Sequence, residues 1–181
     1  KTTQLFPNDF RAYNNLGEMA FAAGDMAKAE SFFKQAAAKN ANAPEVNANL
    51  GLCELVKNNV AAAETFLGKA TGANAANEAL GNLYIKQGQY QRAVNAFGDA
   101  KTNSAAQAQI LAKDYNKAKA TLEAIKDKDA MTDYLMAIVG ARTNNESLVK
   151  NSIKSAIAKD ASLAAKAAND REFAKFASIL K

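Results

Sequence analysis

Apolar and small residues return along this chain at a fixed stride, and the stride predicts paired helices. Tyr13-x-x-Leu16-Gly17 is followed by Gly24-Asp25 and then by Ala29-x3-Phe33-x2-Ala36. Thirty-four positions after Gly17 comes Leu50-Gly51, then Asn58-Asn59, then Ala63-x3-Leu67-x2-Ala70. Thirty positions further on comes Leu80-Gly81-x2-Tyr84, then Gly88 and Tyr90, then Ala93-x3-Phe97-x2-Ala100. Spacings of three and four put these side chains on one helical face, and each Gly or Asn pair marks a turn between two helices. Two weaker copies follow. Asn103 to Asp129 has a clipped first helix, but Tyr115, Ala118, Leu122 and Ile125 stand at second-helix positions. Tyr134 to Asp160 has Val149, Ile153 and Ala156 there, after a very apolar first helix from Met131 to Arg142. Leu163, Ala167, Phe173, Phe176 and Ile179-Leu180 then recur at helical spacing, with Asp170 placed to cap a last short helix.

A repeat of about 34 residues with this pattern resembles the tetratricopeptide repeat, a helix–turn–helix unit. The resemblance implies an all-α fold, a right-handed α-α superhelix of antiparallel helix pairs with a C-terminal capping helix. It gives one domain over 1–181, with repeats at about 10–43, 44–73, 74–102, 103–128 and 129–160 and a capping segment at 161–181. Gly17, Gly51 and Gly81, with Ala29, Ala63 and Ala93, are the small residues that let the two helices of a unit approach. Phe33, Leu67 and Phe97 fill the gap to the next unit. A solenoid must also close its last hydrophobic face, which assigns the final segment its role. Counting back from Phe10, Pro7 falls where the repeat ends in proline, so Lys1 to Phe6 reads as the tail of a preceding second helix and the chain as a piece of a longer array.

Composition narrows the chemistry. The 181 residues include 42 Ala and 19 Asn, one Cys and no His. Without histidine the usual general base and the commonest metal ligand are missing, and Cys53 alone can form neither an internal disulfide nor a thiolate cluster. Cys53 and the four methionines, Met19, Met26, Met131 and Met136, read as core residues. Asp127, Asp129 and Asp133 could suggest a cation site, but Lys126 and Lys128 interleave them, and acids opening a helix explain the group more simply. No phosphate loop is present. No catalytic residue, cofactor or metal is therefore assigned, and the chain reads as non-catalytic. The net charge of +5 comes from the C-terminal half, with lysines set among acids and few aromatic platforms. Nucleic acid is not an expected partner. No apolar run approaches membrane-spanning length, so membrane insertion is not expected.

By resemblance, the first helix of each unit (helix A) lines the inner face of such a solenoid. Its inward positions are Arg11, Asn14, Asn15 and Glu18 in the first unit, and Glu45, Ala48, Asn49 and Leu52 in the second. They are Ala75, Glu78, Ala79 and Asn82 in the third, with Asn103 and Gln107 equivalent in the fourth. Amides both donate and accept, which suits the backbone of an extended peptide. Asn15 and Asn49 stand where some family members carry an asparagine ladder, interrupted here at Ala79. Leu52, Leu55, Val56 and Ile85 would add apolar contact. A two-carboxylate clamp of the chaperone-binding type is not expected, because Asn14, Glu18, Asn49, Ala75 and Ala79 occupy its positions and only Asn49 fits. The expected function is a protein-interaction scaffold taking a peptide or protein partner in the groove. The alternative is a spacer or weakly self-associating module of a larger envelope protein, joined through an unpaired helix at Thr2 to Phe6. The Lys-, Ala- and Asn-rich, His-free composition resembles bacterial envelope proteins, so the expected location is the periplasm or cell envelope, with the cytoplasm as alternative.

Overall fold

The computed structural model describes residues 8–70 and 72–179. The readings placed on Lys1 to Phe6, Pro7 and Leu180 lie outside the described residues. Among those residues every regular element is helical: α1 (Phe10–Ala22), α2 (Met26–Lys39), α3 (Pro44–Val56), α4 (Val60–Lys69), α5 (Asn74–Lys86), α6 (Tyr90–Phe97), α7 (Asn103–Leu111), α8 (Tyr115–Ala124), α9 (Ala130–Arg142), α10 (Glu146–Lys159) and α11 (Leu163–Asn169), then a 3-10 segment at Arg171–Ile179. The chain divides into two compact units, 1–83 and 84–181.

Local chemistry explains where the helices begin and turn. Asp9, Asp25, Thr102, Asp114, Asp129 and Asn145 each accept a backbone N–H of the helix they precede. These bonds satisfy donors that the first helical turn leaves unpaired. Within each hairpin the turn passes through one left-handed residue: Gly24, Asn58, Gly88, Lys113 and Asn144, with φ of 80°, 60°, 72°, 64° and 54°. Gly and Asn tolerate that region and Lys does not, so the Lys113 turn is strained.

In the N-terminal unit α1 packs on α2, α3 on α4, and α3 against both helices of the first hairpin. A Cβ added to Gly17 would overlap the Phe33 ring, and one on Gly51 would lie 2.6 Å from Leu67 Cγ. The large residue therefore sits first on the glycine of its own hairpin. Phe33 also reaches Val46, Leu50 and Cys53 of the next hairpin, so it closes both gaps at once. Leu67 clusters with Ala48 of its own hairpin, with Ala70 after α4 and with Ala76 of α5.

In the C-terminal unit Leu122 and Ala118 of α8 pack with Ala106 and Ile110 of α7 and with Leu135 and Val139 of α9. Gly140 is the crossing residue of the last hairpin, a role the sequence reading did not give it; a Cβ there would lie 3.0 Å from the Val149 backbone nitrogen. The final core gathers Tyr134, Val149, Ile153 and Ala156 with Leu163, Ala167, Phe173 and Phe176. The cap departs from expectation in form. It consists of a seven-residue α-helix and a nine-residue 3-10 segment, with Asp170 accepting the Glu172 N–H at 3.0 Å. Asp170 also holds Tyr134, so its side chain ties the segment to the last hairpin. Two methionines assigned to the core are not in it: Met19 is 69% and Met131 38% exposed. Met19 lies on an α1 face whose α3 counterpart, Cys53, is 3% exposed under the first hairpin.

Candidate functional site

In the N-terminal unit the positions expected to face inward are partly tied to one another. Asn14 and Glu18 are one turn apart on α1, and the Asn14 Nδ2 donates to Glu18 Oε1 at 2.8 Å. From α3, the Asn49 Nδ2 donates to Asn14 Oδ1 at 3.0 Å and to Glu18 Oε1 at 3.1 Å. Asn14 is buried, Asn49 half-buried and Glu18 exposed. Asn49 is thus aligned with Asn14 rather than continuing a line from Asn15, which is exposed. Arg11 is exposed and turned back onto Asp9, its Nε and Nη2 donating to the carboxylate at 2.9 and 2.8 Å. Asp9 is held below the usual carboxylate range, first by that side-chain hydrogen bond.

On α3 the positions Glu45, Asn49, Leu52 and Val56 fall at i, i+4, i+7 and i+11, one narrow stripe of the helix. Glu45 is exposed, Leu52 half-buried and Val56 58% exposed. On α5, Glu78 is exposed and Asn82 half-buried. Cys53 is buried, and that burial pushes its thiol up, with the Glu30 carboxylate adding to the effect. A thiol so placed is a packing residue and a poor nucleophile.

The C-terminal unit has a groove of about 410 Å³. It is lined by Asn103, Ser104 and Gln107 of α7, by Met131, Tyr134, Leu135 and Ile138 of α9, and by Lys166 and Asp170. The size suits a few ligand side chains rather than a folded domain. Gln107 is exposed and presents its amide. Asn103 is engaged: its Nδ2 donates to Asp129 Oδ1 at 3.0 Å, and its Oδ1 lies 2.9 Å from the Thr132 hydroxyl. Asp129 and Thr132 form the capping box of α9. The Thr132 N–H, at 2.7 Å, is the main reason the Asp129 carboxyl is held low. Asp133 pairs with Lys159 at 2.8 Å. Capping and ion pairing thus account for two of the three acids that could suggest a cation site.

Tyr134 ties α9 to the segment that follows the last hairpin. Its hydroxyl donates to Asp170 Oδ2 at 2.6 Å, its ring meets Phe173 edge-on at 5.5 Å, and the Lys166 Nζ lies 4.8 Å from the ring centroid. Burial, then the Asp170 carboxylate, pushes the phenol far above the usual tyrosine range. Of the positions that the sequence assigned to the inner face, Asn103 and Gln107 line this groove; Ser104, Met131, Tyr134, Leu135, Ile138, Lys166 and Asp170 line it too and were not among them. A polar-tipped aromatic on a core face was the available signal for Tyr134, because a buried phenol needs a partner. Nothing local paired it with Asp170, 36 residues away.

Comparisons with known proteins bear on the fold that carries these residues. A tetratricopeptide-repeat family model matches residues 20–84, and a second matches residues 76–105. No curated protein matches the chain. Among solved structures, the chain is similar to YrrB, described as a tetratricopeptide protein with an unusual peptide-binding site. That match has 17% identity and a TM-score of 0.67, covering 88% of this chain and 90% of YrrB. It is similar to a tetratricopeptide repeat protein from Parabacteroides merdae at 17% identity and a TM-score of 0.73, covering 95% of this chain and 76% of that one. It is also similar to PilW, a type IV pilus biogenesis factor, at 19% identity and a TM-score of 0.63, covering 96% and 85%. At such identities the likeness establishes the fold. The chain carries tetratricopeptide repeats across residues 20–105 and has an all-α, tetratricopeptide-type fold.

Proposed function

We propose that the protein is a non-catalytic scaffold that holds an extended peptide, or a short segment of a protein partner, against the inward faces of its A helices. The observation that carries this is the groove of the C-terminal unit. It sets apolar side chains, with Met131 38% exposed, beside the Gln107 amide and the Ser104 hydroxyl. Apolar contact would supply affinity, and the amides would fix the peptide backbone. Each ordered peptide residue costs entropy, so affinity should be modest. Arg11, Asn14, Asn15, Glu18, Glu45, Asn49, Leu52, Glu78, Asn82, Asn103 and Gln107 remain the binding positions of this reading, joined by Met131.

The test is selection of random peptides on the immobilised full chain, followed by binding to two variants. Selected peptides should bind Met131→Asp about tenfold less well, since a desolvated charge would stand among apolar side chains, and should bind the outer-face variant Lys150→Ala normally. Peptides indifferent to Met131→Asp would refute the reading.

One observation favours a second reading as a spacer or self-associating module: Met19 is exposed where the equivalent Cys53 is covered. Sedimentation over a concentration range distinguishes the two, because a strictly monomeric profile counts against association through that face. No helix among the described residues is long and apolar enough to cross a membrane. Composition supports a bacterial periplasmic or envelope location; fractionation of cells producing the protein would show it, or place the protein in the cytoplasm instead.

A further inference from the structure

The acids at the inward positions of the N-terminal unit lack the cations that acids elsewhere in it have, and that says what kind of partner they suit. Elsewhere in that unit acids meet cations: Asp9 pairs with Arg11, Asp25 with Lys28, Glu30 with Lys34 and Lys57, and Glu54 with Lys57. Glu18, Glu45 and Glu78 have no such pair among the described residues, and all three stand at inward helix A positions. The one cation among the inward positions, Arg11, is already held by Asp9.

Glu18 is the best organised of the three. Two amides, from α1 and from α3, donate to its Oε1, and one of them belongs to Asn14, which is 4% exposed. Its Oε2 has no partner among the described residues. The amides orient the carboxylate without cancelling its charge, so a cation arriving there meets a fixed acceptor. Asn49 also begins the apolar end of the α3 stripe, where Leu52 and the 58% exposed Val56 follow at one-turn steps.

We propose that the N-terminal unit takes a cationic peptide, one that places a Lys or Arg side chain on Glu18 and an apolar side chain on Leu52 and Val56. This rests on the scaffold reading above and adds the chemistry of the partner. The chain as a whole carries +5, so unspecific attraction favours acidic peptides. A preference for a basic one therefore has to arise from a local acceptor.

The experiment measures fluorescence polarisation of the full chain with two labelled peptides of equal length and identical leucine positions, one bearing lysines where the other bears glutamates. The lysine peptide should bind more tightly. Glu18→Gln should weaken it about fivefold, the scale of one exposed charge-assisted contact. The glutamine carbonyl can still accept from Asn14 and Asn49, and circular dichroism would confirm the unchanged fold. No binding of the lysine peptide, a preference for the glutamate peptide, or indifference to Glu18→Gln would overturn the proposal. If both peptides bind equally and both weaken with Val56→Ser, groove recognition stands and only the cationic assignment falls. If neither responds to any inward-face variant, Val56→Ser and Met131→Asp included, both readings fall.

Discussion

The first hairpin of the N-terminal unit and the last hairpin of the C-terminal unit solve the same packing problem with different residues. Between α1 and α2 the crossing is a glycine under an aromatic ring, Gly17 beneath Phe33, and that ring continues into the next hairpin through Val46 and Leu50. Between α9 and α10 the crossing is Gly140 against the backbone of Val149, and the aromatic weight lies beyond it, in Tyr134 and in Phe173 and Phe176 of the cap. The hairpin that has a following repeat packs on that repeat. The last described hairpin packs instead on the segment Leu163 to Ile179, fastened by the Tyr134–Asp170 hydrogen bond and the Arg142–Glu172 ion pair. A repeat cannot bury its outer face alone, so whatever comes next must supply the missing side chains.

That contrast can be broken most directly at its two aromatic anchors. Phe33→Ala and Phe173→Ala should each cost about 3–5 kcal/mol, as removal of a buried ring does. Amide hydrogen exchange should localise the damage, with Phe173→Ala exposing amides of α9–α11 while residues 8–70 keep their protection. Loss of protection throughout after either change would mean that the two units unfold as one. A smaller effect is expected at the crossings themselves. Gly51→Ala should destabilise by about 1–3 kcal/mol in urea unfolding, because Leu67 must move to admit the methyl. The smallest expected change is a gain. Lys113→Gly should stabilise by about 0.5–1 kcal/mol by relieving a left-handed residue, seen as a higher urea midpoint with an unchanged slope. A loss on that substitution would show that the Lys113 side chain contributes more than its backbone strain costs.

Much of this was legible in the chain. The glycines at 17 and 51, the turn residues at 24, 58 and 88 and the large residues at 33 and 67 stand at regular offsets, and each offset has one packing meaning. Gly140 was missed because its unit lacks the Leu-Gly pair of the earlier ones, having Val139 before the glycine instead. Lys113 gave no turn signal, since its residue type argues against the conformation it adopts. The sequence placed Asn14 at an inward position, but nothing local showed that it is the buried member of a hydrogen-bonded set that spans two helices.

The residue pattern was enough to establish helices, their pairing within a repeat and the faces that must be buried, because periodicity and side-chain size act over a single turn or a single hairpin. Which polar groups on those faces are consumed by one another, which methionines stay in water and how the cap fastens depend on side chains brought together from 35 or 36 residues apart, as Asn14 meets Asn49 and Tyr134 meets Asp170. Those pairings are set by how neighbouring hairpins stack, so they exist only once the chain has folded.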